Sequence, residues 1–422
     1  MENKGIMFTA LQRFYGALSN LNKFSSANNL IDNVVCLDDF FSCFRSTSFV
    51  LQCAIAHTKY ESLYDEFKQK YLIGNQICKW MVETRNEVEK QHPFNLLKQV
   101  YVTIYTPVSA TILKSEMLTV ENDVEYQTLI ESLRATLKKI NSVEVHFSLD
   151  FQFKRANGDV DLYNDICTAI SIMSNMLKDM YSVIGDCTKL CDNLIRKIEE
   201  LETKISRSEV IFVDDYVYYA DKDIFERGDR LIPILPQDTV DIRKMLEGYG
   251  VKFPSYDPKE FMKFLAKLHL AIYQKQGGHL MPVIFVVYGN STCKTISFDS
   301  SIRTTAYRKV NEIADRVISD DIKYVTMIYE TYNYKSFKYH NLPYYKRIEH
   351  SNSESIIVQQ IGDGFVPRIM MFNTSKINNS KYVDDVLKNR FDVQCIVEKS
   401  VMYPIFLAIK EKRNRRATSK QI

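Results

Sequence analysis

No two cysteines of this chain stand in a CxxC spacing, and the nine cysteines form an odd set with no apolar leader after Met1. That pattern excludes a disulfide framework and points to free thiols in a reducing, cytoplasmic compartment. Long apolar runs are missing as well. Stretches such as Met281 to Tyr288 fall far short of the roughly 20 residues that span a bilayer, so no membrane association is expected. An excess of one charge is also absent: 55 basic and 52 acidic side chains leave a net charge of +3. The whole-molecule field therefore does not call for nucleic acid as a partner, and any RNA contact has to be local. Internal repeats and low-complexity tracts do not occur. No cluster of Cys, His or carboxylates has metal-ligand spacing, so neither a metal nor a cofactor is expected; Cys187 with Cys191, and His340 with His350, lack the further ligands a site would need. What remains is ample material for cores, with 45% apolar and 12% aromatic residues over 422 positions. Such a length has room for two to three domains.

The first 90 positions carry apolar residues at helical spacing over Met7 to Leu21, Asp38 to His57, Tyr60 to Leu72 and Gln76 to Gln91. Asn33 and Asp38 suit caps near the second helix, and Gly74 with Asn75 marks the break before the fourth. Alternating strands follow at Gln99 to Thr106, Ala110 to Thr119 and Val143 to Arg155, closed by a turn at Ala156 to Asp159. Helix resumes from Leu162 to Ile184. Cys187, Cys191, Leu194, Ile198, Leu201 and Ile205 then repeat at intervals of four and three, which fits an internal packing face or a self-association helix.

Within the fourth helix, Arg85, Asn86 and His92 form the chain's only Arg-x4-6-His match. Seven residues are two helical turns, so a phosphate-binding guanidinium and a proton-transferring imidazole share one face, roughly 10 Å apart along the axis. Pro93 disfavours helical geometry at His92 and places it at or just past the helix end. The bland alternative is an exposed helix in which Arg85 pairs with Glu89 and His92 only ends the turn. Upstream, Phe40 to Gln52 is an apolar helix with Arg45-Ser46 in its middle, followed by Tyr60, Tyr64, Phe67 and Tyr71, with Trp80 leading into Arg85-Asn86. Arg45 needs a partner there, Asp38, Asp39 or an acidic residue across the bundle, or else it contacts RNA.

In this order of features the chain resembles the HEPN superfamily of helical ribonuclease and nucleotide-binding domains over about residues 1 to 205. The resemblance implies an all-α helical bundle at residues 1–205 with the strands at about 99–155 as decoration. It also implies a metal-independent endoribonuclease, as in toxins and antiviral defence effectors, with Arg85, Asn86 and His92 catalytic and the site assembled across a homodimer of the N-terminal domain. A non-catalytic module binding RNA, nucleotide or a protein partner is the alternative.

Past Ser206 to Ser208 strands and helices mix without a parallel crossover rhythm, so residues 208–405 read as an α+β domain with a mixed or antiparallel sheet, of unknown role. Strands are expected at Val210 to Ala220, Met281 to Tyr288, Lys294 to Asp299, Tyr324 to Tyr334, Glu354 to Ile361, Val366 to Phe372 and Val393 to Val397. Helices are expected at Val240 to Glu247, Pro258 to Gln276 and Ile302 to Ser319. Gly289 to Thr295 lacks the second glycine of a phosphate loop and reads as a β-turn. Lys335, Lys338 and Arg347 sit among tyrosines in a segment suited to stacking on single-stranded RNA, and Arg413, Arg415 and Arg416 lie in a basic tail, residues 406–422, that suits either phosphate contact or simple solvation. A regulatory protein partner would engage this second half.

Overall fold

In the computed structural model the chain is described except for residues 1–4, 26–27, 29, 120–124, 156–160, 186–187, 207–211, 230–254, 276–277, 279, 299–301, 390–396 and 420–422. The expected turn at 156–159, the helix at 240–247 and most of the strand at 393–397 lie outside the described residues. Twelve helices and two five-stranded sheets make the described part α+β throughout. By contacts the chain divides into two compact units. Unit 1 comprises residues 1–102, 116–135 and 149–214, and unit 2 comprises 103–115, 136–148 and 215–422.

The expected all-α N-terminal bundle is not what forms. β1 (Leu96–Tyr105), β2 (Ile112–Thr119) and β3 (Glu144–Arg155) join β4 (Val213–Tyr219) and β5 (Ile224–Arg227) in one sheet of order β2-β1-β3-β4-β5. The alternation of β3 suggests a strand with one wet face. Instead Glu144 to Leu149 are all buried, the polar Glu144, His146 and Ser148 among them, as befits a strand flanked on both sides. Strands that look like decoration when only residues up to 205 are read are completed by partners drawn from beyond that point.

The helices of unit 1 are α1 (Phe8–Leu21), α2 (Leu30–Ile55), α3 (Glu61–Tyr71), α4 (Gln76–Lys90), α5 (Tyr126–Leu137, its last two residues in unit 2), α6 (Leu162–Ile184) and α7 (Lys189–Ile205). α2 begins well before Asp38. Asn33 is buried within it, its side chain bonding the backbone of Ser25 rather than capping the helix. Asn75 does cap α4, accepting from the Ile77 and Cys78 amides. α6 starts on the Asp161 carboxylate and stops at Gly185 in the left-handed conformation. α1 packs on α2 and α7, and α6 on α3, α4 and α7. The seam of α7, with Cys191, Ile198 and Ile205 buried, is thus used inside the unit. Phe24, Phe153, Tyr163 and Phe212 close an aromatic cluster.

Unit 2 is built on a second sheet, order β10-β9-β8-β6-β7. Its strands are β6 (Val283–Tyr288), β7 (Cys293–Ser297), β8 (Ile322–Tyr334), β9 (Ser351–Gly362) and β10 (Arg368–Asn373), paired antiparallel throughout. Both faces are covered, which explains the continuous apolar run of β6. Val283, Phe285 and Val287 face a core built with α8 (Pro258–Lys275) and α11 (Ser380–Asn389), whereas Ile284 and Val286 face one built with α9 (Arg303–Arg316) and α12 (Tyr403–Ser419). A single turn, α10 (Tyr344–Arg347), precedes β9. The β6–β7 connection is a turn in which the Gly289 amide donates to the Asp321 carbonyl, 3.0 Å; a Cβ on Gly289 would lie 2.1 Å from Asp321 Oδ2. Asp321 is left-handed, φ 49°. Its carboxylate receives Lys412 at 2.9 Å and Arg416 at 3.0 Å, both from α12.

Candidate functional site

α4 carries the motif because its cap and its buried residues Cys78, Met81 and Thr84 set one stripe against the unit. Arg85 Nη1 donates to Asn86 Oδ1 at 3.2 Å, and Arg85 Nη2 is ion-paired with Glu89 one turn on. Arg85 Nε is buried and makes no hydrogen bond among the described residues. The guanidinium keeps 29% of its side chain exposed, so a ligand can still reach it. Glu89 in turn accepts from Ser42 Oγ of α2 at 3.1 Å.

His92 lies just past the helix, beyond the Gln91 cap, as Pro93 dictates. Its amide donates to the Glu87 carbonyl at 3.3 Å, and its Nδ1 sits 3.0 Å from the Pro93 carbonyl oxygen. Two residues on, the Phe94 amide donates to Asp38 Oδ1 of α2 at 3.1 Å, and the Phe94 ring packs 5.3 Å from Phe41. Burial raises the Asp38 pKa above the ordinary carboxylate value, with the Phe94 amide pulling the other way. The backbone at and just after the exposed His92 is thus tied to α4 and α2, although the sequence gives no hint of the Asp38 clamp.

The other expected residues fall elsewhere. Arg45 donates to Ser48 Oγ at 2.8 Å and makes no ion pair among the described residues, so neither Asp38 nor Asp39 supplies its counter-charge. In unit 2, Lys335 and Lys338 are exposed, Lys338 lying 5.0 Å from the Tyr339 ring centroid. Arg347 is buried and donates to Glu144 Oε1 at 3.1 Å, which removes it from any surface stack. The described part of the basic tail, as far as Ser419, belongs to the helix α12. Arg413 donates to Asp363 at 2.7 Å and to the Gly362 carbonyl, Arg416 bonds Asp363 and Asp321, and Arg415 pairs with Glu411 on its own helix. These arginines are spent on carboxylates of unit 2, and for Arg413 and Arg416 no local sequence signal announces the pairing.

Around Glu144 the same unit holds a buried polar cluster that the sequence hides. Glu144 accepts from Arg347 and from the Tyr344 amide at 2.8 Å, and lies 3.5 Å from His146 Nε2. Thr304 donates its hydroxyl to the Tyr216 carbonyl, so its oxygen must accept from His146 Nδ1 at 2.9 Å. That fixes the tautomer and leaves Nε2 without a hydrogen bond. Burial lowers the His146 pKa against the pull of Glu144, with Arg303 and Arg347 adding to the fall. Burial would raise Glu144, but His146, Arg347 and the Tyr344 amide bring it down to about 2. Both groups lie 5% exposed or less, so the cluster is structural rather than open to a substrate. Among the described residues no set of three His, Cys, Asp or Glu is placed to hold a metal, and no helix is long and apolar enough to cross a membrane.

The chain matches no family model, no curated protein and no solved structure.

Proposed function

We propose that unit 1 is a HEPN-like, metal-independent endoribonuclease, with Arg85, Asn86 and His92 acting on one phosphodiester and two copies of the motif brought together in a homodimer. The observation that supports this most is that His92 is exposed on a segment whose backbone is fixed by the last turn of α4 and by the Phe94–Asp38 bond, seven residues on from a guanidinium that already contacts the neighbouring Asn86 amide. In the reaction a ribose 2'-hydroxyl attacks the adjacent phosphorus and expels the 5'-oxygen, leaving a cyclic phosphate. One imidazole takes the 2'-proton and a second gives a proton to the leaving oxygen, a division of labour that two chains satisfy. Arg85 exchanges Glu89 for a non-bridging oxygen and stabilises the charge that develops there. Unit 2 then senses, targets or restrains, with RNA and a regulatory protein as partners. A role as toxin or antiviral effector rests on the family resemblance alone.

The test is cleavage of single-stranded RNA by the full chain in excess EDTA. Cleavage should persist there and end in a 2',3'-cyclic phosphate, and His92→Ala or Arg85→Ala should lower it by about two orders of magnitude or more. The active species should be a dimer in sedimentation. Intact cleavage in both variants would reject the site.

A second reading is favoured by the Arg85–Glu89 pair itself, which neutralises the cation in place. In it, the helical part of unit 1 binds RNA, nucleotide or a protein partner without chemistry. Binding that survives His92→Ala with no cleavage by the parent chain would select it.

A further inference from the structure

Away from the motif, unit 1 contains a pocket of about 130 Å³ where α2, α4, α6 and the end of α3 meet. Phe44, Leu72, Met81, Val82 and Met173 give it apolar walls, and Arg45 stands at the wall beside them. Phe44, Met81 and Met173 are 4% exposed or less and form its floor, while Val82 and Lys79 are exposed at its mouth, so the space is a half-open cleft. The guanidinium has a single neutral partner, Ser48, and no carboxylate among the described residues. Lys79 adds a second cation at the rim, itself only loosely paired with Glu83 at 3.8 Å. Arg45 is only half-buried, so solvent carries part of its charge, and a bound anion would add the ion pair that the described residues do not supply.

We propose that this pocket binds a small apolar monocarboxylate, its hydrocarbon or ring body among Phe44, Met81 and Met173 and its carboxylate on Arg45. Size selects the class: an apolar space of about 150 Å³ holds one benzene ring, so one ring or a short chain fits and a nucleotide does not. Charge selects the head group, since a planar guanidinium takes a carboxylate through two parallel hydrogen bonds. The site is independent of the Arg85–His92 chemistry, and its occupant bears on the packing of α2 against α4.

The experiment uses the full chain with methyl-labelled methionine, titrated with benzoate, with the uncharged benzyl alcohol and with inorganic phosphate. Benzoate should shift the Met81 and Met173 methyl signals, benzyl alcohol should do so about tenfold more weakly, and phosphate should leave them unmoved. In Arg45→Gln the preference for benzoate over the alcohol should vanish, while Met173→Trp should abolish both. Should Arg45→Gln fail to fold, the parent chain's ranking of the three probes still decides. Equal affinity for acid and alcohol, or no shift with benzoate, would overturn the proposal.

Discussion

Glu89 decides what Arg85 is free to do. In Glu89→Gln the guanidinium loses its helical partner, which should lower stability by only about 0.5 kcal/mol, as for other exposed i,i+4 pairs. If Arg85 serves RNA, the same change should tighten RNA binding and raise cleavage severalfold in a filter-binding and gel assay. His146 and Glu144 set a different dependence, on pH. Above about 6.5, His146 is neutral folded or unfolded; below it the unfolded chain takes up a proton that the buried imidazole refuses, so stability falls with pH. Glu144 adds a second loss below 4.5, on the order of 3 kcal/mol by about pH 2, because its folded carboxyl stays ionised where the unfolded one protonates. His146→Gln should flatten the upper limb of the thermal midpoint against pH and shrink the lower one as well, because His146 is first among the groups that hold the Glu144 carboxyl down; an unchanged profile would show that the imidazole does not carry it. At this scale the sequence was informative where chemistry is local, as with Pro93 placing His92 just past the end of α4. It was silent on Asp38 and Phe94, 56 positions apart, and on Arg347 and Glu144, 203 apart.

Among the elements, the helices with strong three-four spacing were legible, and so were β6 and the turn at Gly289. α12 was not, because its arginines break the apolar pattern and its packing face depends on Asp321 and Asp363 lying across it. Lys412 is buried and also donates to the Ile322 carbonyl at 3.0 Å. Lys412→Met should therefore destabilise the chain by about 1 to 3 kcal/mol in urea, through the unsatisfied acceptors it leaves. Arg413→Ala with Arg416→Ala should leave the salt dependence of RNA binding unchanged, since cations already bonded to carboxylates release few counterions from a phosphate backbone. A salt slope reduced by about 2 would show that α12 meets RNA after all.

For the whole molecule, the reading of residues 1–205 as all-α failed because a strand's partners can lie anywhere along the chain, and alternation reveals the strand but not its neighbours. The same fact governs truncation. A chain cut after 206 loses β4, the neighbour of β3 in the sheet, and loses the Phe212 carbonyl that receives the Phe151 amide at 2.9 Å. Such a fragment should exchange its β3 amides within seconds or aggregate, whereas the full chain should protect them. Slow exchange in the fragment would mean that unit 1 closes without the later strands.

The contact of Gly289 with Asp321 gives the hairpin a say in the fate of a helix more than a hundred positions further along. Any side chain at 289 must push the Asp321 carboxylate aside, and that carboxylate is the clasp by which Lys412 and Arg416 fasten α12. Gly289→Ala should thus register first as fraying of α12, read as faster amide exchange over 403–419, before the β6–β7 hairpin itself loosens. The turn behaves as the latch of the terminal helix, with its spring in the left-handed backbone of Asp321.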